Sequence, residues 1–467
     1  MMQTSIEEQL ERQSLWKPSK AEQVAYRARA LLASEFQDAP QKQEGLLKAL
    51  TDVINFCQHS TPYYELAFNN KPFKKLEDLQ ELPILTKQLL IEQSEQLKPR
   101  YLPNGHKFGG IRQSSGTTGL PIKVAHTTFS NEVFTILKQR EYRWFNYNPK
   151  KKLAVIRLPS QLPRMNGREL GLKDSFKFSG WGAISNHFKT GEMLTFSVLN
   201  DVEDQLRWLE ETQVDYLTAY AESLEHLAFA KVNDTFSFKI QSLLSISEMM
   251  TADMHSRISH AFNCPIQQNY GLNELGVIAS KCPEGGRYHV HSEFYYVEIV
   301  NAEGALCKAG ETGRVLVTSL SNPAMPLVRY DTDDLAVATD QQCQCGRTLP
   351  CFGEVVGRYS RIAYLPEGTL GQVAVIRDIL STLPVEQSSC LRRFQIHQDE
   401  SKDLELRLTA IKKIDPMFIR QVAHRWHKLK PINAANFKVI QVEQLIAEKN
   451  GKFHDFTSYF IPVYTAP

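Results

Sequence analysis

The sequence predicts an α/β protein: a large N-terminal domain with mixed and parallel sheets, followed by a small α+β domain. Short apolar strand candidates at residues 153–156, 216–218, 243–246 and 315–318 are interleaved with helical stretches such as 202–211 and 223–232. That alternation is the pattern of a substantially parallel sheet. The organisation then changes near residue 357, where about a hundred residues follow with strand patterns at 394–397 and 404–408 and one helix at 416–429, a size typical of a small domain. The total of 467 residues, 42% hydrophobic and 23% charged, suits two or three domains with a large buried core.

In chain order, the first hundred residues read mainly helical. Leu47, Leu50, Val53, Ile54 and Cys57 share one face of an amphipathic helix. Ser60-Thr61-Pro62 reads as a turn, and Leu82-Pro83-Ile84-Leu85-Thr86-Lys87 as a connector in which Thr86 caps the helix through Leu90. The boundary falls at Gly357-Arg358, giving domains at 1–357 and 358–467. No internal repeat or low-complexity tract interrupts either part.

Composition narrows the function. With 54 basic and 52 acidic residues the formal net charge is +2, which gives no electrostatic reason to expect nucleic acid or an acidic membrane. No apolar run reaches membrane-spanning length, and the polar, acidic stretch from Met1 to Arg12 does not resemble a signal peptide, so the expected location is the cytoplasm. Eight cysteines are too few for a disulfide scaffold of this size. Three crowd between Cys343 and Cys351, which reads better as metal binding than as crosslinking.

Ser114-Ser115-Gly116-Thr117-Thr118-Gly119-Leu120-Pro121 is the strongest local signal. Two glycines let backbone N–H groups crowd an anion and four hydroxyls add donors, as a triphosphate requires. It is not a Walker loop, since Gly-Lys-Ser/Thr is absent at the required spacing. Alone, such a run is more often a solvated turn.

Motif order adds weight. The loop is followed by Gln268-Asn269-Tyr270-Gly271-Leu272-Asn273-Glu274, then Val328-Arg329-Tyr330-Asp331-Thr332-Asp333-Asp334-Leu335, then Val356-Gly357-Arg358. This sequence of motifs closely resembles the adenylate-forming (AMP-binding) superfamily, in its phenylacetate–coenzyme A ligase-like branch. Ser60-Thr61-Pro62-Tyr63-Tyr64, the 82–87 connector and Cys343-Gln344-Cys345-Gly346-Arg347-Thr348-Leu349-Pro350 are similar to that branch too, so the resemblance spans residues 40–455.

The resemblance implies ATP and Mg²⁺ as cofactors, with formation of an acyl-AMP and its transfer to a thiol, coenzyme A in the first instance. Ser114, Ser115, Gly116, Thr117, Thr118 and Gly119 would form the loop over the phosphates, with Thr118 taking part in catalysis. Glu274 would hold Mg²⁺, beside Gly271 and Asn273. Asp334 would accept hydrogen bonds from the ribose, with Asp331 and Asp333 as close rivals. Ser247-Glu248 would line the adenine and substrate pockets, and Tyr270 would stack on adenine. Lys452, in Asn450-Gly451-Lys452-Phe453, would neutralise charge between carboxylate and α-phosphate, carried by a small domain that is mobile about a hinge near Arg358. After that hinge the chain departs from its relatives: Ser360 stands where an aspartate is usual and the later Arg-Gly pair is lost, which bears on transfer to coenzyme A and not on adenylation.

Cys282, His289, Cys343 and Cys345 make a tetrahedral, structural Zn²⁺ set, with His291 and Cys351 as rival ligands. Phe134 and Tyr220 fall near acyl-pocket positions of relatives and point to an aryl or arylalkyl acid. The cluster Tyr142, Trp144, Phe145 and Tyr147 reads as core. The acceptor stays open between coenzyme A, an amine and a carrier-protein thiol, and the oligomeric state between monomer and homodimer. From other classes, a degenerate nucleotide-binding protein and an acyl-phosphate-forming kinase remain as alternatives.

Overall fold

A computed structural model describes residues 27, 30–113, 122–231, 236–246, 250, 252–358, 363–365, 368–370, 391–410, 412–428, 436–445 and 456–458. Its elements begin with α1 (Ala39–Ser60), α2 (Pro62–Phe68), α3 (Lys87–Glu92), β1 (Phe108–Gln113), β2 (Lys123–Thr127) and α4 (Thr128–Trp144). Next come β3 (Leu153–Arg157), β4 (Ser175–Phe178), β5 (Met193–Ser197), α5 (Val202–Thr212), β6 (Tyr216–Tyr220), α6 (Ala221–Lys231), β7 (Ser242–Ile246) and α7 (Ala252–Phe262). Then follow β8 (Ile266–Leu272), β9 (Gly276–Lys281), β10 (Tyr288–Val290), β11 (Tyr295–Val300), β12 (Thr312–Ser319), β13 (Tyr330–Val337), β14 (Cys351–Phe352) and β15 (Val355–Arg358). The last are β16 (Ala363–Leu365), β17 (Gly368–Leu370), β18 (Leu391–Gln398), β19 (Leu404–Ala410), α8 (Pro416–Lys428), β20 (Phe437–Gln441) and β21 (Phe456–Ser458).

The chain divides into two compact units. The first takes Met1–Val300, Gly304–Thr332 and Val337–Val355; the second takes Asn301–Glu303, Asp333–Ala336 and Val356–Pro467. A nine-stranded sheet of order β14-β10-β9-β8-β7-β6-β3-β5-β4 dominates the first unit. Its middle, β8-β7-β6-β3-β5, is parallel, and antiparallel strands extend both sides. Crossover helices α6 and α7 join β6 to β7 and β7 to β8, because parallel neighbours need a connection that returns over the sheet face. Leu217, Leu243, Leu224, Leu227 and Ile258 pack in the core beneath them.

The expected strands at 153–156, 216–218 and 243–246 are β3, β6 and β7. The expected strand at 315–318 forms too, but as part of β12, paired antiparallel with β11 in a separate sheet of order β11-β12-β13-β15. Its alternation of apolar residues says strand without saying which sheet. The Thr86 cap is present, its hydroxyl accepting from Leu89 N at 3.2 Å.

In the second unit, β18 pairs antiparallel with β19, while β20 and β21 add parallel strands to give the order β20-β19-β18-β21. Phe418, Val422 and Trp426 recur at helical spacing on α8 and cover Ile396, Leu404, Leu406 and Leu408. Trp426 stacks on Phe437 at 4.0 Å between ring centroids.

Candidate active site and metal centre

Strand β8 leaves the parallel sheet, turns at 273–275 and returns as β9. A side chain on Gly271 would collide with the Gly276 carbonyl, and Gly276 has φ 93°, so this tight hairpin needs glycine at both feet. The turn places Glu274 beyond the carboxyl end of β8, the side of an open α/β sheet where ligands bind. The Glu274 side chain is buried at 5% exposure, and Tyr330 donates its hydroxyl to Glu274 Oε1 at 2.8 Å.

Tyr330 opens β13, and its position is fixed by the connector seen in the sequence. Leu85 N donates to Arg329 O (3.1 Å) and Asp331 N to Leu85 O (2.9 Å), a parallel bridge centred on Tyr330. Arg329 is buried, donating to Leu82 O at 2.7 Å and paired with Glu298 at 3.1 Å. Asp331 pairs with Arg314 Nη1 at 3.1 Å. Asp334 is buried and Asp333 is held at φ 68°. Tyr270, also buried, donates to Thr332 Oγ1 at 3.0 Å and sets its ring edge-on to Phe352. Gly271 and Asn273 are exposed.

The phosphate-loop residues Ser114, Ser115, Gly116, Thr117, Thr118 and Gly119 lie outside the described residues, as do Ser247, Glu248, Ser360 and Lys452. For Arg358 the backbone is described and the side chain is not. The flanks of the loop are clear: β1 and β2 pair antiparallel, with Gln113 opposite Lys123. On β2, His126 is buried, and burial, with Arg112 nearby, lowers its pKa to about 4 against an opposing pull from the Glu274 backbone. Thr127 caps α4, its hydroxyl accepting from Ser130 N at 3.1 Å. Phe134 is half-buried on α4. Tyr220, at the carboxyl end of β6, donates to Gln161 Oε1 at 2.7 Å. The aromatic cluster is core: Tyr147 stacks on Tyr216 at 3.9 Å and on Tyr142 at 4.8 Å.

A second constellation assembles where β9, β10 and the 343–351 loop meet. The ligand atoms of Cys282, His289, Cys343 and Cys345 all lie within 4.8 Å of one another. Gly285 is required here, because a Cβ would strike Cys343 Sγ. Gly285 N and Arg347 N donate to the sulfurs of Cys282 and Cys345, each at 3.4 Å. Burial raises the Cys345 thiol, but the Arg347 backbone and side-chain N–H groups outweigh it and hold it below the ordinary thiol value. Burial lowers the His289 pKa to about 4, so the ring is neutral. Its Nδ1 faces Leu349 O at 3.4 Å and its Nε2 faces Cys345 Sγ at 3.3 Å, the tautomer in which Nε2 keeps a lone pair for a metal. The rivals are otherwise engaged. His291 lies between Arg140 Nη1 (3.1 Å) and Ser280 Oγ (3.0 Å), and Cys351 turns to Gln341 O at 3.6 Å.

No family model matches the chain. It is similar to a phenylacetate-coenzyme A ligase of Thermus thermophilus, 24% identical over 68% of this chain and 69% of that protein. A phenylacetate-coenzyme A ligase of Escherichia coli is 25% identical over 70% and 71%. Among solved structures, a 2-hydroxyisobutyryl-CoA ligase in its postadenylation state superposes with a TM-score of 0.69 at 15% identity, covering 91% of both chains. Over about two thirds of its length the chain is similar to phenylacetate-coenzyme A ligases. Its fold is the mixed α/β fold of adenylate-forming ligases.

Sequence reasoning missed the residues that hold Glu274 in place. Tyr330 stood inside a recognised motif, yet its bond to Glu274 joins positions 56 residues apart. Arg329 offered a signal in hindsight, since a buried arginine must find partners.

Proposed function

We propose that this protein activates a carboxylic acid with ATP, forming an acyl-AMP and pyrophosphate, and then passes the acyl group to a thiol, with coenzyme A as the first choice. The observation that carries the reading is Glu274: a buried carboxylate beyond the carboxyl end of a parallel strand, in a fold matched to an acyl-CoA ligase over 91% of the chain. In the first step a carboxylate oxygen attacks the α-phosphorus and the bond to pyrophosphate breaks. In the second a thiolate attacks the acyl carbon and AMP leaves.

A divalent cation fits the Glu274 site by the chemistry of its donor, since Mg²⁺ takes carboxylate oxygens and the phosphates of its substrate. When bound it would neutralise phosphate charge. Glu274 would orient the nucleotide through it, Asp334 would hold the ribose, and the loop at 114–119 would shield the phosphates. Lys452, in the second unit, would approach as that unit closes about Arg358. Phe134 and Tyr220 would shape an acyl pocket for an aryl or arylalkyl acid.

Zinc fits the cysteine cluster. Bonds of about 2.3 Å to sulfur place tetrahedral ligands about 3.8 Å apart, and the four atoms here already lie within 4.8 Å of one another. Four protein ligands leave no position for substrate, so the site is structural. An amine or carrier-protein thiol as acceptor is the second reading, favoured by Ser360 at the hinge. The test of acid activation is exchange of labelled pyrophosphate into ATP across a panel of aryl and alkyl acids. Acid-dependent exchange supports it, and no exchange with any acid counts against it.

A further inference from the structure

Glu274 has a hydrogen-bond partner on a strand of another sheet. Tyr330 is fully buried, and its hydroxyl meets Glu274 Oε1 at 2.8 Å. The tyrosine cannot drift, because its backbone is bridged to Leu85 and the preceding Arg329 is anchored to Glu298 and Leu82 O. Tyr330 and Thr332 share a face of β13, and Thr332 receives the Tyr270 hydroxyl while donating to Val315 O at 2.9 Å. Two hydroxyl bridges therefore register β13 against the segment that carries Glu274.

The chemistry of the partner matters. A lysine or arginine at this place would neutralise the carboxylate and compete with a cation. A phenol donates one hydrogen bond, fixes one oxygen and leaves the negative charge in place for a metal. Outer partners of this kind orient ligating carboxylates, and their loss typically costs about 10–100-fold in metal affinity.

We infer that Tyr330 is a positioning residue for divalent-cation binding at Glu274, acting on nucleotide recognition through that carboxylate. This rests on the proposed role of Glu274 as the cation-holding residue. The test compares the wild-type protein, Tyr330→Phe and Tyr64→Phe in ATP binding by calorimetry over a range of Mg²⁺ concentrations. Tyr64 is the control, a buried tyrosine whose hydroxyl donates to Pro326 O and accepts from Val328 N, each at 3.0 Å, and makes no bond to Glu274. In Tyr330→Phe the Mg²⁺ concentration for half-maximal ATP affinity rises about 10–100-fold, and affinity recovers at high Mg²⁺. Tyr64→Phe lowers thermal stability without moving the Mg²⁺ dependence. A folded Tyr330→Phe with the wild-type Mg²⁺ dependence overturns the inference alone. So does a loss of ATP affinity that no Mg²⁺ concentration restores, or an equal Mg²⁺ shift in Tyr64→Phe. Wild-type protein that binds ATP identically with and without Mg²⁺ overturns the Glu274 reading and this inference with it.

Discussion

Arg347 donates from Nε to Glu35 Oε2 at 3.2 Å, joining the cysteine-bearing loop to a segment 312 residues earlier. Glu35 is 2% exposed and also accepts from Trp144 Nε1 at 3.0 Å and pairs with Arg140 at 3.0 Å. The Arg347 guanidinium lies over the Trp144 ring at 4.5 Å, and Thr348 N donates to Glu35 O at 2.8 Å. The candidate metal loop is thus built into the first unit rather than hung from it.

Removing Glu35 should therefore be severe. Glu35→Ala leaves two buried guanidinium groups short of their carboxylate, and such a loss costs on the order of 3–5 kcal/mol. Denaturant unfolding should show a large fall in midpoint. A change within about 0.5 kcal/mol, typical of an ordinary surface position, would contradict the structural role.

The cysteine cluster makes a prediction about content. Protein prepared without chelator should carry about one equivalent of zinc, with zinc–sulfur distances of about 2.3 Å by X-ray absorption. Cys345→Ser should lose the metal and lower the stability of the first unit while ATP still binds. Metal-free protein with unperturbed stability would rule the site out.

His126, which is buried, and Glu293, which is half-buried, set opposite ends of the acid side of the stability profile. His126 is held near pKa 4 by burial and by Arg112, below the ordinary 6.5, so the unfolded chain takes up its proton first. Its contribution is complete above pH 6.5 and is lost as pH falls toward 4, on the order of 3 kcal/mol. For Glu293 burial alone would raise the pKa, but Arg140 and the hydrogen bonds from Arg140 and Ser34 bring it to about 2. Its contribution is present above the usual carboxylate range and is lost as pH falls toward 2. Urea midpoints measured against pH should show both windows, and His126→Gln should flatten the first only. An unchanged slope between pH 6.5 and 4 in that variant would refute the assignment to His126.

Much of the fold could be read from the sequence because it rests on local pattern. The apolar runs of β3, β6 and β7, the Thr86 cap and the face of α8 need only near neighbours to declare themselves. The four Cys and His residues were also legible, since their types suit one metal, and the chain brings their atoms together. Long-range pairings were not legible. Arg329 with Glu298, Arg347 with Glu35 and Tyr330 with Glu274 are polar contacts whose partners only the fold selects. Nor could the sequence show that Asp331 pairs with Arg314.

The half-reactions should separate at Lys452. Lys452→Ala should slow pyrophosphate exchange by about 10²–10³, the usual worth of a charge-stabilising contact made in the transition state. Single-turnover consumption of a supplied acyl-AMP by its acceptor should persist. Equal loss of both activities in folded protein would contradict the assignment of this lysine to adenylation.

The most direct test of the central claim is the identity of the nucleotide product. With an acid that supports exchange, ATP turnover resolved by chromatography should yield AMP and pyrophosphate in equal amounts. Stoichiometric ADP and phosphate, with no pyrophosphate, would show phosphoryl transfer instead and contradict acyl-AMP formation.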